Sequence, residues 1–188
     1  MIYMTRRCAF IFTALFFTAL VFTAQVALLA AAAQDHSNRA SPHATASIDV
    51  KGDKITISYG RPYLKGRKVG EQVAPYGQVW RLGADEATKI TVTAKSRIGE
   101  LDLEPGSYSL FAIPGADKWT VIVNKVSEQW GAFSYKQSED LGRFDVPVKP
   151  NSSPVEQFTI SLTKQSDNTA TLTFAWGGTS VSMPVKAM

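Results

Sequence analysis

A chain of 188 residues with a formal net charge of +4 has the length of one domain, or at most two small ones. Its single cysteine, Cys8, and two histidines, His36 and His43, exclude a disulfide framework, a thiolate metal centre and a multi-histidine zinc site in the core. The charge is too evenly balanced to mark a nucleic-acid partner.

Residues 1–33 read as a secretory signal peptide. Arg6 and Arg7 make a positive start, positions 8–33 carry no charge, and the run closes on Ala30-Ala31-Ala32-Ala33 before Gln34. A positive patch stays on the cytoplasmic side while the apolar stretch inserts, and small residues suit a signal peptidase. An uncleaved anchor is the alternative, since 26 apolar positions can span a bilayer. The Arg6-Arg7 pair fits a twin-arginine signal poorly. Cys8 opens the apolar run instead of ending it, which argues against a lipoprotein. Cleavage leaves 155 residues with 18 basic and 16 acidic side chains, +2 net, enough chain to bury about two-thirds of its unfolded surface. The expected location is the periplasm or the medium. A membrane partner enters only through an uncleaved leader.

Residues 34–44 are small and polar and read as a flexible lead-in. Residues 45–188 read as an all-β domain, an antiparallel β-sandwich or jelly roll. The signal is alternation with period two: Ile55, Ile57 and Tyr59; Ile90 and Val92; Trp119, Val121 and Val123; Phe158, Ile160 and Leu162; Leu172, Phe174 and Trp176; Val181, Met183 and Val185. Threonine and serine recur at the intervening positions, as on a solvated sheet face. Turn chemistry separates the runs at Lys51-Gly52-Asp53, Glu104-Pro105-Gly106, Pro114 to Asp117, Ser166-Asp167-Asn168 and Gly177-Gly178. No amphipathic helix is expected beyond a turn near Ser134–Leu141. Residues 61–87 and 125–142 are long connections, and in a compact β domain these are the natural places for a site.

Known catalytic motifs are missing: there is no phosphate-binding glycine loop, no H-E-x-x-H, no G-x-S-x-G and no calcium loop. Ser161-Leu162-Thr163-Lys164 and Ser166-Asp167-Asn168 match S-x-x-K and S-D-N, but the serine lies on an alternating strand and the second motif is the next turn. The match is coincidental. The first connection holds Arg61, Lys65, Arg67 and Lys68, then Tyr76, Trp80, Arg81, Asp85 and Glu86; the second holds Trp130 and Tyr135, with Asn124 at its edge. Arginines grip anionic groups and indoles stack on rings, so Arg61, Arg67, Trp80, Arg81, Asp85, Glu86 and Trp130 are the candidate ligand-binding residues. The plainer reading makes Trp80 a core plug and pairs Arg81 with Asp85 or Glu86. As adjacent residues, Asp85 and Glu86 project in different directions and match a glycosidase carboxylate pair poorly. No catalytic residue, metal ligand or cofactor is assigned.

The motif series Ser41-Pro42-x-Ala44, Tyr59-Gly60-Arg61-Pro62, Lys65-Gly66-Arg67, Pro75-Tyr76-Gly77-x-Val79-Trp80-Arg81-x-Gly83-Ala84-Asp85-Glu86-Ala87-Thr88, Pro105-Gly106-x-Tyr108-x-Leu110-Phe111-x-Ile113-Pro114, Trp119-x-Val121-Ile122-x-Asn124 and Gln129-Trp130-Gly131-Ala132 resembles the bacterial DUF2911 family of exported proteins. The likeness runs from about Ser41 to Val185. It implies an exported bacterial β domain and no activity, and in that pattern Asn is common where this chain has Asp85. The function expected is a non-catalytic binding or structural module of the cell envelope, with a small molecule, glycan or envelope protein as partner. The alternative is an extracytoplasmic enzyme acting on glycans through Asp85 or Glu86.

Overall fold

A computed structural model describes residues 39–188; the leader reading and His36 fall outside them. Nine strands form one antiparallel sheet. They are β1 (His43–Val50), β2 (Asp53–Gly60), β5 (Thr88–Val92), β8 (Gly106–Ile113), β9 (Lys118–Asn124), β10 (Asp140–Lys164), β11 (Thr169–Ala187), β6 (Ser96–Ile98) and β7 (Leu101–Leu103), in that spatial order. Two short segments, β3 (Val69–Gly70) and β4 (Val73–Pro75), pair in parallel within the first long connection. The all-β, antiparallel expectation holds. A 3₁₀ turn at Gln137–Glu139 falls within the stretch expected to turn. No helix among the described residues is long and apolar enough to cross a membrane.

Strand β10 makes the two layers. Asp140–Pro147 pair with β9, while Val148–Lys164 pair with β11. Register shifts between Pro150 and Val155 and between Val155 and Thr159 supply the irregularity that lets a sheet bend. The sheet thus curls until β2 faces the far half of β10. Tyr59 meets Phe158 at 5.8 Å, edge to face, and its hydroxyl accepts the Ile160 N–H at 2.9 Å.

The alternation lies where the sequence places it. Ile55, Ile57, Tyr59, Ile90, Val92, Trp119, Val121, Val123, Phe158, Ile160, Leu172, Phe174, Trp176, Val181, Met183 and Val185 are all buried in one cluster, and Leu162 packs half-buried against it. The second face departs from the expectation of a solvated surface at β8 and β9. There Phe111 and Ile122 are also buried, with Ala87, beneath Val79, Ile113, Ala132 and Tyr135. The end of the first long connection, through Val79 and Ala87, and the second, through Ala132 and Tyr135, lie over this patch. Strand β1 begins at His43, inside the stretch read as lead-in, paired in register with Gly60.

Candidate functional site

The first connection leaves β2 along the sheet. Arg61 donates its backbone N–H to Pro42 O at 2.9 Å, Phe158 donates to Pro62 O and Leu64 to Glu156 O, both at 2.9 Å. The Arg61 side chain follows, donating from Nε to Phe158 O at 3.2 Å and from a terminal nitrogen to Thr159 Oγ1 at 3.0 Å. Arg67 braces its own turn through Leu64 O and Tyr63 O. These arginines hold backbone.

Trp80 lies in the core, as the plainer reading has it, and offers no contact surface. It is 8% exposed, stacks on Trp176 at 5.5 Å, and meets Phe158 and Trp119 edge to face at 5.1 and 5.8 Å. Its indole N–H donates to Gly83 O at 3.1 Å, as buried indoles require. Its backbone exchanges two hydrogen bonds with Ala112.

Residues 81–88 then close into a loop. The Thr88 N–H donates to Arg81 O at 3.1 Å and its hydroxyl to Leu82 O at 2.6 Å. Leu82 and Asp85 take positive φ, 53° and 63°. Asp and Asn accept that conformation more readily than most residues, which suits position 85. Arg81 does not pair with Asp85 or Glu86: it forms no ion pair among the described residues, and its buried Nε has no hydrogen-bond partner. Glu86 is taken by another arginine.

The two connections meet at this loop. Ala87 donates its N–H to Gln129 O at 2.9 Å and Gly131 donates to Asp85 O at 3.0 Å, which sets Glu86 opposite Trp130. Asn124, wholly buried, fixes the second connection. Its amide nitrogen donates to Asp140 Oδ1 at 2.9 Å and Lys136 O at 3.1 Å, and its oxygen accepts from the Val126 N–H and the Gln129 amide. Tyr135 donates to Asp140 at 2.8 Å and packs on Phe111. Burial, with the Asp140 carboxylate beside it, pushes the Tyr135 phenol up to about 12, so it stays protonated.

Two residues outside both connections complete the cluster. Arg39 donates from one terminal nitrogen to both Glu86 oxygens, at 2.6 and 2.8 Å, and lies 3.8 Å from Asp85 Oδ2. Its guanidinium carbon sits 5.8 Å from the Trp130 ring centre. His43 Nε2 is 2.8 Å from Glu86 Oε2 and 3.0 Å from the same Arg39 nitrogen. Burial would raise the Glu86 pKa, but the Arg39 hydrogen bond, a backbone N–H, the His43 imidazole when protonated and the charge of Arg39 outweigh it and hold the carboxyl at about 2. Donor atoms of His43, Asp85 and Glu86 all lie within 4.8 Å of one another, a spacing at which three side chains among the described residues could hold a cation. Trp130 remains 57% exposed beside them, and Phe133 is 89% exposed.

Of the seven candidates, Asp85, Glu86 and Trp130 come together here, whereas Arg61, Arg67, Trp80 and Arg81 serve the loops and core. Arg39 and His43 join the cluster from residues read as lead-in. A shallow pocket of about 250 Å³ lined by Lys51, Arg97, Asn168 and Lys186 lies elsewhere, since Lys51 follows the far end of β1.

No curated protein and no solved structure matches this chain. The family model described as "Protein of unknown function (DUF2911)" matches residues 41–185, and the chain belongs to that family.

Proposed function

We propose that the protein is an exported, non-catalytic binding module of the bacterial envelope that takes a glycan on the face formed by Trp130, Asp85, Glu86 and Arg39. The observation that carries this reading is the backbone pairing of the two long connections, which sets Glu86 opposite a half-exposed indole. An exposed aromatic ring offers a stacking surface, and carboxylate and guanidinium groups beside it accept from and donate to neighbouring hydroxyls. Export rests on the positive, apolar and small-residue pattern of residues 1–33.

The state of Glu86 speaks against its serving as the acid of a glycoside hydrolase. A hydrolase needs one carboxyl with a raised pKa to protonate the leaving oxygen. Glu86 is held at about 2 by its cationic neighbours, the opposite condition.

Titrating the full chain with soluble envelope glycan fragments tests the proposal. Binding is expected in the wild type, with at least tenfold loss in Trp130→Ala and an unchanged melting temperature, because that indole carries little of the core. No binding to any fragment, or binding indifferent to Trp130→Ala, overturns the glycan reading. Release of reducing ends during incubation overturns the non-catalytic part of it. Export is tested by fractionating cells that express the chain: periplasmic or secreted protein is expected, and retention in the cytoplasm rejects export.

A further inference from the structure

We propose that His43, Asp85 and Glu86 form a site for one divalent transition-metal ion, at which the Arg39 guanidinium acts as a tethered counter-charge that the ion displaces. The proposal uses the same face as the binding reading but does not depend on a glycan.

Three observations carry it. The first is the donor set: one imidazole nitrogen and two carboxylate oxygens lie within 4.8 Å of one another. An ion with bonds of about 2.0–2.2 Å holds tetrahedral ligands about 3.3–3.6 Å apart, so side-chain rotation has to draw the wider donors in and let the 2.8 Å His43–Glu86 contact open. The backbones beneath them are fixed independently. His43 is registered against Gly60 in β1, Asp85 O is held by the Gly131 N–H, and Glu86 is bridged to Trp130. Fixed supports are what a metal site needs.

The second is a conflict at His43 Nε2. The Arg39 nitrogen, 3.0 Å away, can only donate, so that contact calls for a lone pair on Nε2. The Glu86 oxygen, 2.8 Å away, can only accept, so that contact calls for a proton on Nε2. One nitrogen cannot meet both demands. A metal ion satisfies both groups at once, because it binds the imidazole lone pair and the carboxylate lone pair together.

The third is the position of Arg39. Its one nitrogen stands within 3.0 Å of His43 Nε2 and of both Glu86 oxygens, and 3.8 Å from Asp85. The chain's own positive charge thus occupies the point on which the three donors converge. Two carboxylates balance a divalent ion, and binding would require Arg39, on the segment before β1, to move aside. The mixture of imidazole and carboxylate favours Zn²⁺, Co²⁺ or Ni²⁺ over Mg²⁺ and Ca²⁺, which prefer oxygen alone. Three protein ligands leave coordination positions open towards solvent and Trp130.

The test is titration of the chelator-stripped full chain with zinc chloride by calorimetry and with cobalt chloride by visible absorption. One ion per chain is expected. His43→Ala, Asp85→Asn and Glu86→Gln should each weaken binding at least tenfold while circular dichroism still reports a β fold. Arg39→Ala should tighten it, because it removes the competing cation; a merely supporting arginine would do the reverse. His36→Ala should change nothing. Absence of binding in both the wild type and Arg39→Ala overturns the proposal, as does binding unaffected by the three ligand substitutions, or lost with His36→Ala, or weakened by Arg39→Ala. Should one ligand variant fail to fold, Arg39→Ala and the remaining two decide. Trp130→Ala separates the two readings, since it should weaken glycan binding at least tenfold and leave the zinc isotherm intact.

Discussion

Asp53 opens β2 with a wholly buried carboxylate. It accepts from the N–H groups of Thr93 and Ala94 at 2.7 and 2.9 Å, from the Thr93 hydroxyl at 2.9 Å, and from the Ser96 hydroxyl. Burial raises its pKa, yet the hydrogen bonds from Ser96, Ala94 and Thr93 prevail and hold it below the usual value of 3.8. The folded value is the lower one, so the stabilisation is complete above the unfolded value and disappears as pH falls through the folded one. Glu86, lowered from 4.5 to about 2, acts in the same direction over an overlapping range. Asp53→Asn is therefore expected to lose about 3 kcal/mol at pH 7, the scale of hydrogen bonds to a buried charge. It should also flatten part, not all, of the fall in stability between pH 4.5 and 2. Urea unfolding at pH 7 and 3 measures both, and a variant as stable as wild type at pH 7 refutes this role.

The loop of residues 81–88 depends on a close approach of two backbones. A Cβ added at Gly60 would lie 2.3 Å from Ala84 O, a distance at which the loop itself must move because no side chain can yield. Gly60→Ala is expected to destabilise the fold by about 2–3 kcal/mol and to separate Glu86 from Trp130. Loss of the pattern of slow hydrogen exchange at Ala87 and Gly131 would report that separation; protection equal to wild type would contradict it. Much of this arrangement was legible in the sequence. Alternation at Ile55, Ile57 and Tyr59 or at Leu172, Phe174 and Trp176 is a local property, and burial of one face follows from it directly. The two long connections were legible as well, because Gly, Pro and charge interrupt the period. Arg39 and His43 were not, since a short polar run before a strand carries no period, and their partners lie more than forty positions away. The second-face burial of Phe111 and Ile122 was hidden for the same reason: which loop covers a sheet is a non-local fact.

At the scale of the molecule, β10 decides how the domain comes apart. One strand supplies hydrogen bonds to β9 with its first third and to β11 with the remainder, so neither layer can separate without stripping a strand from the other. The aromatic cluster reinforces this, because Trp80 from the first connection touches Trp119 on β9 and Trp176 on β11. Each such ring pair is worth about 0.5–1.5 kcal/mol beyond its burial. These ties couple the layers more strongly than two separate sheets packed only through side chains. Unfolding in urea should therefore be one cooperative transition. Tryptophan fluorescence, dominated by Trp80, Trp119 and Trp176 in the core, should share its midpoint with far-ultraviolet circular dichroism, which reports the sheet. Two midpoints, with fluorescence lost before the sheet signal, would mean that the β10–β11 layer holds together without the aromatic core. The same coupling bears on the functional face: its carboxylates and Trp130 ride on loops anchored to that core, so a variant that loosens the aromatic cluster should blunt ligand binding only as far as it lowers the common midpoint.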